Sequence, residues 1–106
     1  MYYNYLISDG INYKIGITNN IQNRLKNFQT ANYKKIKVIN LVFSQDREKS
    51  LQLEKYLHDK YSKYRIKGEW FELTPYMKKK VIEDMKTYAI EWDMEFDNIL
   101  KITKNE

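Results

Sequence analysis

Residues 2–18 read YYNYLISDGINYKIGIT, and this stretch decides the architecture. YYNYLIS is rich in β-forming aromatic and branched residues, Asp9-Gly10 is a strong turn signal, and YKIGIT is a second short strand. The chain is therefore expected to open with a β-hairpin. Thr18-Asn19-Asn20 then offers helix N-caps, and Ile21, Leu25 and Phe28 recur at helical spacing, which predicts a short amphipathic helix over about 20–30.

Further along, IKVINLVF at 36–43 is almost wholly apolar and predicts a third, well-buried strand covered on both faces. From Asp46 to about Tyr64 helix formers dominate, with Leu53, Leu57 and Tyr64 on one stripe. GEWFEL at 68–73 places aromatic strand formers after a glycine. Thr74-Pro75 is an N-cap and first-turn pair opening a helix through about Tyr88, with a last helical piece after it. The order β-β-α-β-α-β-α implies an α+β fold: a small three- to four-stranded, mainly antiparallel sheet flanked by helices. Residues 1–74 are expected to form the domain and residues 75–106 a C-terminal helical extension packed on it. No repeat, low-complexity segment or linker interrupts the chain, and three glycines and one proline announce no hinge.

A chain of 106 residues, 42% hydrophobic and 31% charged, has the composition of one globular core. The absence of cysteine excludes disulfides and thiolate metal sites. No stretch approaches the roughly 18 apolar residues of a membrane span, so no membrane partner and a cytoplasmic address are expected. The net charge of +5 is uneven: residues 1–82 carry 16 Lys/Arg against 7 Asp/Glu, and residues 83–106 carry 3 against 7. A basic body concentrates phosphate polymers and points to a nucleic-acid partner, although a lysine-rich surface that merely keeps the protein in solution reads the same way. The acidic C-terminal helices have the wrong sign for phosphate and suit packing, self-association or a protein partner.

Four elements in order resemble the GIY-YIG nuclease superfamily over roughly residues 3–73. They are Tyr5-Leu6-Ile7 on the first strand, Lys14-Ile15-Gly16 on the second, Arg24 on the following helix, and Glu54 within Leu53-Glu54-Lys55 on the central helix. KIGIT, the Gln29-Thr30 pair, LEKYLH and GEWF together look like the bacteriophage-type branch, in which KIG replaces YIG. The sequence departs from the standard pattern at Tyr3, where the family has glycine, and at Lys14, where it has tyrosine. Tyr13 cannot simply substitute, because a strand reverses face at each residue.

The resemblance implies a metal-dependent endonuclease, a hydrolase that cuts phosphodiester bonds of DNA. Glu54 would hold one Mg²⁺ or Mn²⁺ ion, since a hard divalent cation binds through one or two carboxylates and keeps several waters. Arg24 would clamp the phosphate, and Lys14 would offset developing negative charge. Tyr5 would orient or deprotonate water if neighbouring cations lower its phenol. His58 follows Glu54 by one helical turn and would act as a general acid, a partner of Glu54 or a phosphate donor; a plain surface pair with Glu54 is the other reading.

Lys34, Lys35 and Lys37 beside Tyr33, and Lys63, Arg65 and Lys67 beside Tyr64, interleave basic and aromatic groups as on surfaces that track nucleic acid, with Tyr13 a further candidate contact, although a solvated charged face reads the same way. Trp70 and Phe71 are expected to close the core after a turn at Gly68, with Glu69 as a less favoured second carboxylate of the site. The exchange of tyrosine for Lys14 supports one alternative function: a catalytically weak or inactive module that binds nucleic acid or protein.

Overall fold

A computed structural model describes residues 1–96 of the chain. The hairpin strands are β1 (Tyr2–Ser8) and β2 (Tyr13–Thr18), followed by α1 (Ile21–Ala31), β3 (Lys37–Ser44) and α2 (Arg47–Lys60). A 3-10 turn (Ser62–Tyr64) leads into β4 (Arg65–Lys67) and β5 (Trp70–Phe71), then α3 (Pro75–Glu91) and β6 (Glu95–Phe96). The strands form one six-stranded sheet in the order β4-β5-β2-β1-β3-β6, with every neighbouring pair antiparallel.

The α+β class agrees with the sequence reading, but the sheet has six strands where three or four were expected. The additional strands are β4, three exposed residues reading RIK, and β6, two residues reading EF. Neither is long enough to carry a period, and both are strands only because a neighbour supplies the ladder. β3 also departs from expectation. Only Leu41 and Val42 are buried along it, because β3 is flanked on its outer side by nothing longer than β6.

Helix starts follow the capping residues. Asn20 accepts from the backbone N–H of Asn23 at 3.0 Å, Asp46 from Glu48 at 3.0 Å and Thr74 from Met77 at 3.1 Å, each satisfying a donor that lacks an intrahelical partner. The stripe expected to end at Tyr64 ends instead at Tyr61, because α2 stops at Lys60. Tyr61 is 5% exposed and Tyr64, in the 3-10 turn, is 38% exposed. The chain beyond Tyr88 continues helical only to Glu91 before β6; residues 97–106 of the expected extension lie outside the described residues.

Side-chain alternation divides the interior in two. On one face of the sheet Leu6, Ile15, Val42 and Phe71 pack against Leu53 and Leu57 of α2 and Val81, Met85 and Ala89 of α3. On the other, Tyr5, Ile7 and Leu41 pack against Ile21 and Leu25 of α1. A Tyr61 hydroxyl bond to Asp84 at 2.6 Å and a Lys60–Asp84 ion pair at 2.8 Å tie α2 to α3. Asn4, buried on β1, donates to the Ser50 carbonyl at 2.9 Å and anchors the first turns of α2 to the central strand.

Candidate functional site

The hairpin register sets Tyr5 opposite Gly16 and Ile7 opposite Lys14, so Tyr5, Lys14 and Gly16 share the α1 face. β5 pairs with β2 only at Tyr13 and Lys14. One further bond, from the Ile15 N–H to the Glu69 carbonyl at 3.0 Å, ends the ladder. Beyond it the outer edge of β2 has no strand partner among the described residues, which opens a notch in the sheet.

His58 of α2 reaches into this notch. Its Nε2 lies 2.8 Å from the Ile15 carbonyl oxygen. A carbonyl only accepts, so Nε2 carries the proton and donates, standing in for the missing strand. The ring also meets Phe71 edge-on, with centroids 5.0 Å apart. This fixes the orientation of the imidazole from two sides and leaves Nδ1 as the nitrogen free to act.

From the α1 side come two cations. The Lys14 ammonium sits 3.7 Å from the centre of the Phe28 ring and 5.2 Å from that of Trp70, and the Arg24 guanidinium carbon lies 5.7 Å from the same Phe28 ring. The aromatic faces hold a charge that is partly withdrawn from water. Burial lowers the Lys14 ammonium below the usual lysine range; the neighbouring Arg24 adds to this and Glu69 opposes it. Glu54 shows the converse. Burial raises the Glu54 carboxyl above its usual range, with Glu69 adding to the shift and His58 and Arg24 opposing it. Glu54 of α2 is thus within range of the charges on Glu69 and on Arg24 of α1.

Tyr5 is fully buried, and its hydroxyl donates to Glu69 Oε1 at 2.6 Å. Burial, reinforced by Glu69, pushes the phenol well above the usual tyrosine range, and Arg24 only partly opposes this. The sequence expectation that cations would lower it is corrected: loss of water and the adjacent carboxylate outweigh Arg24. Gly16 explains how the pair fits. A Cβ at this position would fall on the Glu69 carboxylate and the Tyr5 hydroxyl, and within 2.6 Å of Tyr5 Cζ.

Tyr5 and Glu69 thus meet over Gly16, Lys14 and Arg24 share the Phe28 ring on the same side, His58 enters from α2, and Glu54 lies within charge range of His58, Glu69 and Arg24. Glu69 escapes periodicity, since simple alternation from Trp70 would send it to the face of Ile15. Gly68, at φ +56°, turns the chain before β5 and lets the Glu69 carboxylate reach the space above Gly16 instead. The glycine preceding it in GEWF was the available signal. Tyr13 is not brought to the notch; it packs against the α2–α3 core.

The basic residues lie apart from the notch, on either side of the hairpin turn at 9–12. Gln29 donates to the Lys34 carbonyl at 2.9 Å and accepts from the Ile36 N–H at 2.9 Å, holding the loop that carries Lys34 and Lys35 and leads to Lys37. Lys34 is close enough to act on Asp9 of the turn. Across the turn, Lys63 and Arg65 line an open groove of about 620 Å³ with Ile11, Asn12, Tyr64 and Met77, and Lys67 follows on the exposed edge strand β4.

Fold and site together define a small α+β domain with a cationic and carboxylate notch, compatible with a nucleic-acid-related function. The family model described as the T5orf172 domain matches residues 2–91, and the chain belongs to this family. This match corrects the GIY-YIG resemblance: the matching family is a different one, and no GIY-YIG model matches. The motifs behind that resemblance are three-residue strand ends and single helix positions, and packing against Tyr5 and Glu69 suffices to explain the glycine of Lys14-Ile15-Gly16. No curated protein and no solved structure matches the chain. Among the described residues no helix is long and apolar enough to cross a membrane.

Proposed function

We propose that this domain is a divalent-metal-dependent endonuclease that hydrolyses phosphodiester bonds of DNA. The observation that carries the reading is the opposition across one notch of a cation pair, Lys14 and Arg24, and a carboxylate pair, Glu54 and Glu69, mutually coupled by charge. Phosphodiester hydrolysis needs both: positive charge to hold the phosphate and carboxylates to manage water or metal. Membership of the T5orf172 domain family is compatible with a nucleic-acid-related function.

Arg24 offers the planar fork that binds two phosphate oxygens, and Lys14 a point charge beside it. The two cations repel in the free chain, and a phosphate between them relieves that repulsion. His58, held through Nε2 on the Ile15 carbonyl, keeps Nδ1 for a general-acid role or a phosphate contact. Among the described residues no three His, Cys, Asp or Glu side chains are grouped to share a metal ion. The donor set nevertheless fits a hard cation: Glu54 is a carboxylate whose negative charge is disfavoured by burial and by Glu69, and Mg²⁺ or Mn²⁺ takes few protein oxygens. Glu54 would hold that ion, which when bound supplies charge neutralisation at the phosphate. Lys34, Lys35, Lys37, Lys63, Arg65 and Lys67, on either side of the hairpin turn, would carry the flanking strand by phosphate contacts independent of sequence.

The test is nicking of supercoiled plasmid and cutting of single-stranded DNA in Mg²⁺ or Mn²⁺ by the wild-type chain, Glu54→Ala and Arg24→Ala. Metal-dependent cleavage is expected to fall by about 10²-fold or more in each variant. Wild-type cleavage no greater than that of Glu54→Ala refutes the proposal. Retained DNA binding with a steep salt dependence would then identify a binding module.

A further inference from the structure

The same notch distinguishes the group that meets water from the group that stands behind it. Tyr5 has no exposed surface, and its phenol already donates to Glu69. A side chain enclosed on every side is not the one that contacts a water attacking a bound phosphate. Glu69 is only partly buried. Its Oε1 is occupied by Tyr5, whereas Oε2 has no hydrogen-bond partner and the carboxylate forms no salt bridge among the described residues.

The placement of Glu69 is over-determined. Its carbonyl accepts from the Ile15 N–H at 3.0 Å, Gly68 makes the turn before it at φ +56°, and Gly16 leaves out the side chain that would fill its place. Three independent features, two of them glycines, thus converge on holding a single carboxylate over Gly16, on the face of β2 that carries Lys14. Arrays of this kind mark groups whose position matters to within fractions of an ångström.

We infer that Glu69 is the catalytic base, accepting the proton of the attacking water at Oε2, and that the buried Tyr5 phenol is its positioning residue. The inference rests on the endonuclease reading and assigns a role within it. As the water oxygen bonds to phosphorus, its O–H bond breaks and the proton passes to the Glu69 carboxylate. The P–O bond to the leaving oxygen breaks with its electron pair, and that oxygen takes a proton from solvent. Glu69 then returns its proton to solvent. Tyr5 stays neutral throughout, holding Oε1 so that the other oxygen faces the water.

The experiment compares steady-state cleavage by the wild-type chain with that by Glu69→Gln, Glu69→Ala and Tyr5→Phe, with thermal melts of each. Glutamine keeps an acceptor for the Tyr5 hydroxyl but cannot take a proton. In Glu69→Gln kcat is therefore expected to fall by about 10²–10⁴-fold, with the KM for DNA unchanged and the melt retained. Added formate, a diffusible carboxylate, should restore part of the activity of Glu69→Ala, a result that a purely structural glutamate does not give. Tyr5→Phe should lower kcat less than Glu69→Gln does. Wild-type rates in Glu69→Gln, or no formate response in Glu69→Ala, overturn the inference while leaving the endonuclease intact. Absence of metal-dependent cleavage by the wild-type chain overturns the endonuclease reading and this inference with it.

Discussion

On the α2–α3 side of the sheet, Leu53, Leu57, Val81, Met85 and Ala89 from two helices close over Leu6, Ile15, Val42 and Phe71. On the α1 side, one helix contributes only Ile21 and Leu25 to the buried cluster, and Tyr5 takes a central place in it. The strands are the same, and only the alternate residues differ. The larger face supplies most of the apolar burial, at about 25 cal/mol per Å² removed from water. The smaller face spends its positions on Tyr5, Lys14, Gly16 and Arg24. A thin core beside a notch lets charged groups approach one another while staying half in solvent, which a fully packed face would not permit. The difference teaches that the α2–α3 side carries most of the burial, whereas the α1 side leaves polar and charged positions beside the notch, which His58 enters from α2.

Truncation tests the division most severely. Leu57→Ala on the larger face, at a residue with no exposed surface, is expected to cost about 2–5 kcal/mol in urea unfolding. Leu25→Ala, 7% exposed under a single helix, should fall at or below the lower end of that range, because the site can relax toward solvent. A larger loss at Leu25 than at Leu57 would break the comparison.

Gly16→Ala attacks the smaller face where it is tightest. The added methyl group must displace the Tyr5 hydroxyl and the Glu69 carboxylate, so roughly 1–3 kcal/mol of stability should be lost. Under the proposed mechanism, metal-dependent plasmid nicking should fall with it. A variant with wild-type melting and nicking would show that the pair is free to move.

Asp84→Ala tests the clamp between α2 and α3. It removes the acceptor of the Tyr61 hydroxyl and the partner of Lys60. A cost of roughly 1–2 kcal/mol is expected, chiefly from the buried phenol left without a partner. Under the proposed mechanism DNA cleavage should be little changed, because Tyr61 and Lys60 pair with Asp84 rather than with Glu54 or His58.

The smallest effect, and one of opposite sign, is expected at Glu54. Burial raises its carboxyl in the folded state, so the folded chain binds the proton more readily than the unfolded chain. Stability contributed by protonated Glu54 is therefore present at acid pH and is lost as pH rises through the ordinary glutamate range, about 4.3, and the raised value above it. Glu54→Gln removes that loss. Its melting temperature should exceed wild type slightly at neutral pH, and the gain should vanish on acidification. A lower melting temperature at neutral pH would mean that the ionised Glu54 is stabilised by its cationic neighbours.

The hairpin, α1, α2 and α3 were legible along the chain because each has a signal several residues long: a turn pair, a cap, a periodic apolar stripe. β4 and β6 were not, since a strand of two or three residues has no period of its own. The site was legible in part. Tyr5, Lys14, Arg24, Glu54 and His58 could be singled out by residue type and order, whereas the contact of Glu69 with Tyr5 follows from the Gly68 turn rather than from strand alternation. Tyr13, half-buried, packs against the α2–α3 core, because alternation turns it to that face. The family drawn from short motifs was replaced by the T5orf172 domain, whose match extends through α3.

By itself, the sequence determined the α+β class, the helix starts at Asn20, Asp46 and Thr74, the basic balance of the first 82 residues and the chemical types available for a site. These are local properties, set by capping, periodicity and composition within a few residues of one another. Tertiary structure alone decided that β2 would lose its outer partner after Ile15, that His58 would fill the vacant ladder position, and that Tyr5 would be buried behind Glu69. Those outcomes depend on groups more than forty positions apart meeting across a sheet, and no local pattern encodes the distance between them.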